Sequence, residues 1–254
     1  SSSAASDVYK RQAVMAFVKE NEIDVIVNCA AYTAVDKAED NQELCAKLNS
    51  EAVGYLAKAA EENQAEFIQI STDYVFDGTN YVPYRETEPT CPNSVYGVTK
   101  LAGEKKALEY CSKAMIIRTA WLYSVFGNNF VKTMIRLGKE RESLGVIFDQ
   151  IGTPTYARDL ASAVFAAIRK GIIPGIYHFS NEGVCSWYDF TKSIHRIAGI
   201  GNCKVSPLHT DEYPAKAPRP HYSVLDKTKI KHTYGIEIPH WEESLEQCIK
   251  ELNV

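Results

Sequence analysis

Short apolar segments that alternate with helical patterns constrain the fold of this chain more than any other feature of its sequence. Four such segments occur, at residues 23–31 (IDVIVNCAA), 66–72 (EFIQIST), 114–120 (AMIIRTA) and 175–180 (GIYHFS). Amphipathic patterns separate them, and the longest predicts a helix over residues 42–61. Apolar strands of this length are typical of a parallel sheet with helices on both faces. The sequence therefore predicts an α/β fold with a Rossmann-like, doubly wound parallel sheet.

Polar and aromatic residues follow three of these predicted strands, in the sequences NCAAY, STDYVF and RTAWLY. In doubly wound sheets, ligands bind in the crevice beyond the carboxyl ends of the strands. We therefore expect the functional site of this chain at these strand ends. Taken one at a time, each segment is equally compatible with an ordinary loop.

The composition and the hydrophobic patterning of the sequence change twice along the chain. Residues 1–12 (SSSAASDVYKRQ) are mostly small and polar without periodic patterning, and we interpret them as a non-native or disordered leader. Residues 13–150 carry most of the strand–helix alternation and are predicted as the main sheet domain. Residues 151–254 contain longer loops, including a segment with four prolines at 206–226. We predict that this last part is mainly a smaller, substrate-binding lobe.

Composition and charge argue against several classes of protein. The 254 residues carry a net charge of −4, which favours neither a nucleic acid nor a membrane surface as partner. No stretch approaches the roughly 18 consecutive apolar residues of a membrane span. The seven cysteines include no C-x-x-C pair, so we expect reduced thiols and a cytoplasmic protein. The six histidines form no H-E-x-x-H motif or Cys/His cluster, so the sequence predicts no metal site built by the protein alone.

The segment SVYGVTK places a phenol, Tyr96, four residues before an ammonium, Lys100. Side chains at positions i and i+4 share one face of a helix, so both groups could point into one pocket. A solvated helix surface produces the same spacing by chance. The segment alone leaves both interpretations open.

The wider context of this pair resembles a known family. Ser71-Thr72-Asp73 ends a predicted strand, and the Tyr-x-x-x-Lys pattern that begins at Tyr96 follows 23 residues after Asp73. This arrangement is similar to that of the extended short-chain dehydrogenase/reductase family. The ordered series NCAAYTAVDKAE, STDYVFDG, YGVTKLAGE, RTAWLY, GNNF, DQIGTPT and RPHYS resembles the dTDP-4-dehydrorhamnose reductase branch of that family, from about residue 23 onward.

The resemblance implies an NADPH- or NADH-dependent reduction of a 4-keto group on a dTDP-sugar. Tyr96 would protonate the alkoxide that hydride transfer leaves, and Lys100 would lower the pKa of the Tyr96 phenol and bind the nicotinamide ribose. Thr72 would hydrogen-bond the substrate carbonyl, and Asp73 would contact the sugar. Residues 13–150 would then be an NAD(P)-binding domain.

Further residues carry over from the family by position. Ala30, Ala31 and Tyr32 would line the cofactor with their backbone. Trp121, Asn128, Asn129 and Arg219 would contact the substrate: the tryptophan beside the sugar, the asparagines at the sugar or phosphate, and the arginine at the diphosphate. Asn128 is equally compatible with a helix N-cap. Asp36 and Glu39 are interpreted as surface or structural acids. The family also suggests a homodimer and Mg²⁺, but its acidic ligands do not map onto this sequence.

The chain departs from the family in one respect: it contains no G-x-G-x-x-G turn. Family members bind the cofactor pyrophosphate with such a turn. We therefore expect an N-terminally truncated domain that lacks its first strands, and NAD cannot be told from NADP. Two alternative functions stay open: another nucleotide-sugar epimerase or reductase, and a non-catalytic regulatory subunit resembling that of methionine adenosyltransferase. A dehydratase is disfavoured, because dehydratases of the superfamily usually carry Asp-Glu after the threonine, where this chain has Asp73-Tyr74.

Overall fold

The computed structural model describes residues 11–253. Its α-helices are, in chain order, α1 (Arg11–Glu20), α2 (Val35–Ala38), α3 (Gln42–Ala46), α4 (Ala52–Glu62), α5 (Val95–Tyr110), α6 (Phe130–Glu140), α7 (Ala157–Lys170), α8 (Trp187–Ile197), α9 (Thr228–Tyr234) and α10 (Trp241–Leu252). A π-helical segment, Lys47–Glu51, joins α3 to α4, and 3₁₀ turns lie at Asp73–Val75 and Thr210–Glu212. The helix predicted over residues 42–61 therefore contains a wider turn in its middle.

The strands form one main sheet and three small ones. They are β1 (Val25–Asn28), β2 (Glu66–Thr72), β3 (Ala114–Thr119), β4 (Leu122–Tyr123), β5 (Ser143–Ile147), β6 (Ile151–Gly152), β7 (Thr155–Tyr156), β8 (Gly175–His178), β9 (Cys185–Ser186) and β10 (Lys204–Leu208). The main sheet has the order β1-β2-β3-β8, and all of its neighbouring strands pair in parallel. The carboxyl ends of β1, β2 and β3 consequently lie along one edge of the sheet.

Helices cover both faces of the main sheet, and side chains that alternate along each strand pack against different helices. The face that includes Ile68 and Met115 packs against α7 and α9. The opposite face, which includes Phe67 and Ile116, packs against α4 and α5. Burial on both sides explains why these strands read as continuously apolar segments. The predicted α/β class with a doubly covered parallel sheet is confirmed.

The small sheets and three helices form a second lobe. Its core includes Ile135 from α6, Phe190 from α8 and Leu245 from α10, all at most 5% exposed. Strand pairing crosses residue 150 in both directions: β5 pairs with β10 in this lobe, whereas β8 extends the main sheet. The division into domains 13–150 and 151–254 stays a prediction.

The structure bears on two further sequence predictions: the leader at residues 1–12 and the lack of a membrane span. Of the predicted leader, residues 1–10 lie outside the described residues, and Arg11 and Gln12 begin α1. Within residues 11–253, no helix combines the length and the apolar character that crossing a membrane requires.

Candidate active site

A cleft of about 400 Å³ opens at the carboxyl ends of β1, β2 and β3. It brings together six of the residues that the sequence predicted for the site: Ala31, Thr72, Asp73, Tyr96, Lys100 and Trp121. These residues come from three strand ends and from α5, so the cleft depends on the fold and not on one local motif. Its position is the one expected for ligands of an open parallel sheet.

Two glycines of α5 allow this helix to lie close enough to the strand ends. A Cβ atom on Gly97 would stand 2.2 Å from the carbonyl oxygen of Tyr74, and one on Gly103 would stand 2.1 Å from that of Asn49. Both distances are far below contact, so any side chain at either position would push the helix away. Gly97 directly follows Tyr96, and its missing side chain therefore helps to set the distance between Tyr96 and the end of β2.

The start of α5 is fixed by two side chains. Ser94 is the N-cap, and its hydroxyl accepts the N–H of Gly97 at 3.2 Å. Glu39 accepts the N–H of Val95 at 2.9 Å, which places a carboxylate at the positive end of the helix. Glu39, interpreted from sequence as a surface or structural acid, thus caps the helix that carries the candidate catalytic pair.

Thr72 and Asp73 form a buried polar pair at the end of β2. The Thr72 hydroxyl donates to Asp73 Oδ1 at 2.9 Å and accepts the N–H of Tyr74 at 3.2 Å. Asp73 is 2% exposed, and its Oδ2 atom has no hydrogen-bond partner among the described residues. Burial raises the pKa of Asp73 to about 6, although the Thr72 hydroxyl and Ser223 both act to lower it. Asp73 therefore adds a buried carboxyl group, oriented by Thr72, to the wall of the cleft.

Tyr96 reaches the cleft from the first turn of α5, packed edge-on against Tyr74 with ring centroids 5.4 Å apart. Tyr96 is half-buried and lines the cleft. Burial nevertheless raises the pKa of the phenol, and hydrogen bonding with Thr72 opposes this shift. The sequence predicted that Lys100 lowers the pKa of Tyr96. In the structure this pKa is raised instead, because desolvation outweighs the groups around the phenol.

Lys100 lines the cleft one helical turn after Tyr96 and is only 4% exposed. Its Nζ atom donates to the carbonyl oxygen of Ile70 at 2.6 Å. Burial lowers the pKa of Lys100 to about 8, and the carboxylate of Glu104 acts in the opposite direction. Lys100 therefore begins to lose its proton at a mildly alkaline pH.

Glu104 and Arg118 form a buried ion pair behind Lys100 that sequence analysis did not predict. Arg118 Nη2 donates to Glu104 Oε2 at 2.7 Å, and both side chains are 2% exposed. Ser71 donates its hydroxyl to Glu104 Oε1 at 2.5 Å. Glu104 lies in the quoted segment YGVTKLAGE, but its partners are 33 and 14 residues away. A sequence pattern therefore could not have identified them.

Trp121 lies on the cleft wall, as predicted, and stacks on a second tryptophan that sequence analysis missed. The Trp121 and Trp187 rings are nearly parallel, with centroids 3.6 Å apart, and both side chains line the cleft. Trp121 has a φ angle of +48°, an uncommon conformation for a bulky residue that tends to persist at functional sites. The stack gives the cleft a flat aromatic wall on the side of the second lobe.

The residues predicted to bind the cofactor through their backbone follow β1. Ala31 lines the cleft, whereas Ala30 and Tyr32 do not. The N–H of Ala30 donates to Asn28 Oδ1 at 3.1 Å, and the N–H of Tyr32 donates to Asn49 Oδ1 at 2.8 Å. Asn49 belongs to the π-helical segment, so the wider turn places its side chain against this loop.

Asn128 and Asn129, predicted to contact substrate, lie outside the cleft walls. Asn129, and not Asn128, is the N-cap of α6: its Oδ1 atom accepts the N–H of Lys132 at 3.2 Å. Its Nδ2 atom donates to the carbonyl oxygen of Ser124 at 2.6 Å. Asn128 is exposed. The structure therefore gives Asn129 a role in starting a helix.

Arg219 forms an ion pair that the sequence did not indicate. Its Nη2 atom lies 2.8 Å from Asp36 Oδ2, and this guanidinium also lowers the pKa of Asp36, where burial alone would raise it. Arg219 is not part of the cleft wall, but its positive charge acts on the nearby phenol of Tyr74. Its assignment to the substrate diphosphate stays a prediction.

No group of three or more His, Cys, Asp or Glu side chains suited to a metal ion occurs within residues 11–253. The Mg²⁺ suggested by family resemblance is therefore assigned to no residue here.

Known proteins with similar sequences and folds are related to this chain over nearly its whole length. The family model described as the RmlD substrate binding domain matches residues 1–254. The chain belongs to this family. The dTDP-4-dehydrorhamnose reductase of Escherichia coli (strain K12) is 43% identical over 255 residues, which cover 97% of this chain and 85% of that protein.

Two solved structures of dTDP-4-dehydrorhamnose reductases superimpose closely on this chain. A dTDP-4-dehydrorhamnose reductase from Clostridium acetobutylicum is 46% identical, with a TM-score of 0.94 over 98% of this chain and 88% of that one. The enzyme from Bacillus anthracis, in complex with NADP, is 41% identical, with a TM-score of 0.93 over 96% of this chain and 86% of that one. Both agree with the Rossmann-like fold.

Proposed function

We propose that this chain is a dTDP-4-dehydrorhamnose reductase. It reduces the 4-keto group of dTDP-4-dehydro-L-rhamnose to give dTDP-L-rhamnose, with NADPH or NADH as the second substrate. The observation that carries the proposal is the cleft itself, where Thr72, Tyr96 and Lys100 converge from β2 and α5. Membership of the RmlD substrate-binding-domain family and the names of the relatives support it.

The cleft has features that suit a nicotinamide and a sugar. Its volume of about 400 Å³ falls within the range of small-molecule sites. Ala31 lines one side, and the stacked Trp121 and Trp187 supply a flat apolar wall on the other. Asp73, which also lines the cleft, would contact the sugar. Lys100, at the cleft wall, would hold the ribose hydroxyls.

When bound, the nicotinamide cofactor supplies the hydride, and the protein supplies geometry and protons. Tyr96 is the proton donor to the substrate oxygen on which negative charge develops. Its raised pKa means that the phenol holds its proton throughout the neutral range, which suits a general acid before the reaction.

Thr72 orients and polarises the substrate carbonyl. Its hydroxyl oxygen is fixed by the N–H of Tyr74, and its hydrogen points at Asp73 in the absence of substrate. Turning this hydrogen toward the substrate oxygen adds a second donor beside the phenol. Two donors aimed at one developing oxyanion stabilise the transition state more than the ground state.

Lys100 stabilises the phenolate that Tyr96 becomes after it has given up its proton. Its ammonium is buried, so its charge is poorly screened by water. Because burial holds the pKa of Lys100 at about 8, we expect activity to fall as the pH rises through that value.

The decisive experiment measures the loss of reduced-nicotinamide absorbance with dTDP-4-dehydro-L-rhamnose, using NADPH and NADH in parallel. The wild-type protein is compared with Tyr96→Phe, which removes only the acidic proton. We expect kcat to fall by about 10²- to 10⁴-fold, the usual contribution of a general acid. Tyr81→Phe is the matched control, because Tyr81 is 88% exposed and lies outside the cleft.

The alternatives give different results in the same assay. An epimerase would convert the sugar without net oxidation of the cofactor, which NMR of the product detects. A regulatory subunit would be folded but would oxidise neither cofactor. Either result would refute the reductase assignment.

A further inference from the structure

Glu104 is a buried carboxylate beside the candidate catalytic lysine that the reaction described above does not use. It is 1% exposed and lies one helical turn after Lys100 on α5. Both of its oxygen atoms accept hydrogen bonds from the guanidinium of Arg118, at 3.0 Å to Oε1 and 2.7 Å to Oε2. A buried charge is tolerated only when it is paired in this way.

The hydrogen bonds of Glu104 join the three elements that form the floor of the cleft. Ser71, which donates to Glu104, directly precedes Thr72 at the end of β2. Arg118 directly precedes Thr119, a cleft residue at the end of β3. Glu104 itself belongs to α5. One carboxylate thus holds the strand end that carries Thr72 against the helix that carries the candidate catalytic pair.

Ionisable groups from several elements lie around Lys100. They are Glu104 and Tyr96 from its own helix, Cys29 after β1, Cys45 from α3, Asp73 after β2 and, behind Glu104, Arg118 from β3. Glu104 is the largest of the influences that favour the charged form of Lys100. The two thiols contribute less.

We propose that Glu104 is a positioning residue for the reduction: its carboxylate lies one helical turn from Lys100 and, through Ser71 and Arg118, fixes the end of β2 against α5. This inference rests on the proposed function of the cleft. Glu104 does not touch the substrate, and it acts through Lys100 and, by way of Ser71, through Thr72. Ser71 and Arg118 hold the carboxylate in place.

The test replaces the carboxylate by its amide. Glu104→Gln keeps the shape of the side chain and removes its charge. We expect the alkaline limb of the pH profile of kcat/KM, measured with saturating cofactor, to move to lower pH by roughly one unit or more. The alkaline limb reports the pKa of Lys100, because the pKa of Tyr96 is raised and its phenol keeps its proton to higher pH.

Two further variants separate the charge of Glu104 from the integrity of the ion pair. Arg118→Gln breaks the same pair but retains the carboxylate, so the alkaline limb should stay in place or move upward. The double variant Glu104→Gln, Arg118→Gln removes both charges and leaves no unpaired buried ion, which protects folding. Its limb should again lie at lower pH. Glu140→Gln, which breaks the exposed Arg136–Glu140 pair, is the charge-matched control and should leave the limb unchanged.

A purely structural role gives another pattern. In that case Glu104→Gln and Arg118→Gln would lower Tm and kcat/KM together and leave the limb where it is, which would overturn the inference while the reductase assignment stands. If the wild-type protein proved inactive, the pKa of Lys100 would still be measurable. It is read from the ¹³Cε shift of labelled lysine against pH, assigned with Lys100→Met. An unchanged Lys100 pKa in folded Glu104→Gln would refute the inference independently of activity.

Discussion

The ends of β1 and β2 lie side by side at the same edge of the main sheet, yet they differ in burial. Asn28, the last residue of β1, is buried, but the residues directly after it are exposed. At the end of β2, Ser71, Thr72 and Asp73 are at most 5% exposed, and all three side chains are hydrogen-bonded. At the end of β1, Ala30 is exposed, and Val27 within the strand is 37% exposed.

The difference follows from the neighbours of each strand. β2 pairs with β1 on one side and with β3 on the other, and α5 packs over its end. β1 pairs with β2 alone in the described part of the chain. A strand end that is enclosed holds polar side chains in one geometry, which suits acid–base chemistry. An open strand end leaves its backbone accessible, which suits binding of a ligand by main-chain groups. We therefore expect changes at β2 to reduce kcat and changes at β1 to raise KM for the cofactor.

The largest effect in this comparison is expected from Thr72→Val, which keeps the shape of the side chain and removes its hydroxyl. Loss of one donor to a developing oxyanion typically lowers kcat by about 10²-fold or more. The measurement is kcat for the keto sugar at saturating cofactor.

Thr72→Ser is the matched control, because it retains the hydroxyl that contacts Asp73 and the N–H of Tyr74. It should keep most of the activity. If Thr72→Val retained kcat within about threefold, a role for this hydroxyl in the transition state would be untenable.

The second prediction concerns the distance between α5 and the end of β2. In Gly97→Ala, the new methyl group would meet the carbonyl oxygen of Tyr74 at 2.2 Å, so the helix must shift. Overpacking of this kind costs about 1–3 kcal/mol of folding free energy. We also expect kcat to fall, because Tyr96 moves with the helix. Urea unfolding and the reductase assay measure the two effects.

Gly201→Ala provides the comparison, because a Cβ at Gly201 would meet no atom within 4 Å. Its stability should change by less than about 0.5 kcal/mol. Equal losses of stability in the two variants would show that the contact between α5 and the end of β2 is not tight.

The sequence could predict the parts of the site that depend on local spacing. The end of an apolar strand and an i, i+4 pair on a helix are both visible in one dimension, but this spacing left the role of Tyr96 and Lys100 open. The resemblance to the extended short-chain dehydrogenase/reductase family is what predicted Thr72, Tyr96 and Lys100 for one pocket. The fold class was predictable from the sequence pattern itself, since burial on both faces leaves continuous apolar strands such as residues 66–72.

The remaining features depend on partners far apart in the chain. Arg219 lies 183 residues from Asp36, and nothing near either residue indicates the pair. Trp187 belongs to the second lobe and meets Trp121 only after the lobes have packed. The pKa of Tyr96 was predicted in the wrong direction, because sequence shows the nearby ammonium of Lys100 but not the desolvation that outweighs it. Long-range contacts and burial are properties of the folded chain.

The smallest effect is expected at β1, from Asn28→Ala. The Asn28 side chain accepts the N–H of Ala30 at 3.1 Å and donates to Gln69 at 2.7 Å. Because Ala30 is exposed, water replaces the first of these bonds, whereas Gln69 is 2% exposed and its Oε1 atom loses its donor. The free energy of unfolding should therefore fall by about 1–3 kcal/mol. We expect KM for the cofactor to rise about two- to tenfold while kcat stays within about twofold.

Asn63→Ala is the control: it removes one asparagine hydrogen bond, to Ala59, at the opposite end of the sheet, and should leave KM unchanged. A fall in kcat of Asn28→Ala as large as that of Thr72→Val would mean that the two strand ends share one function.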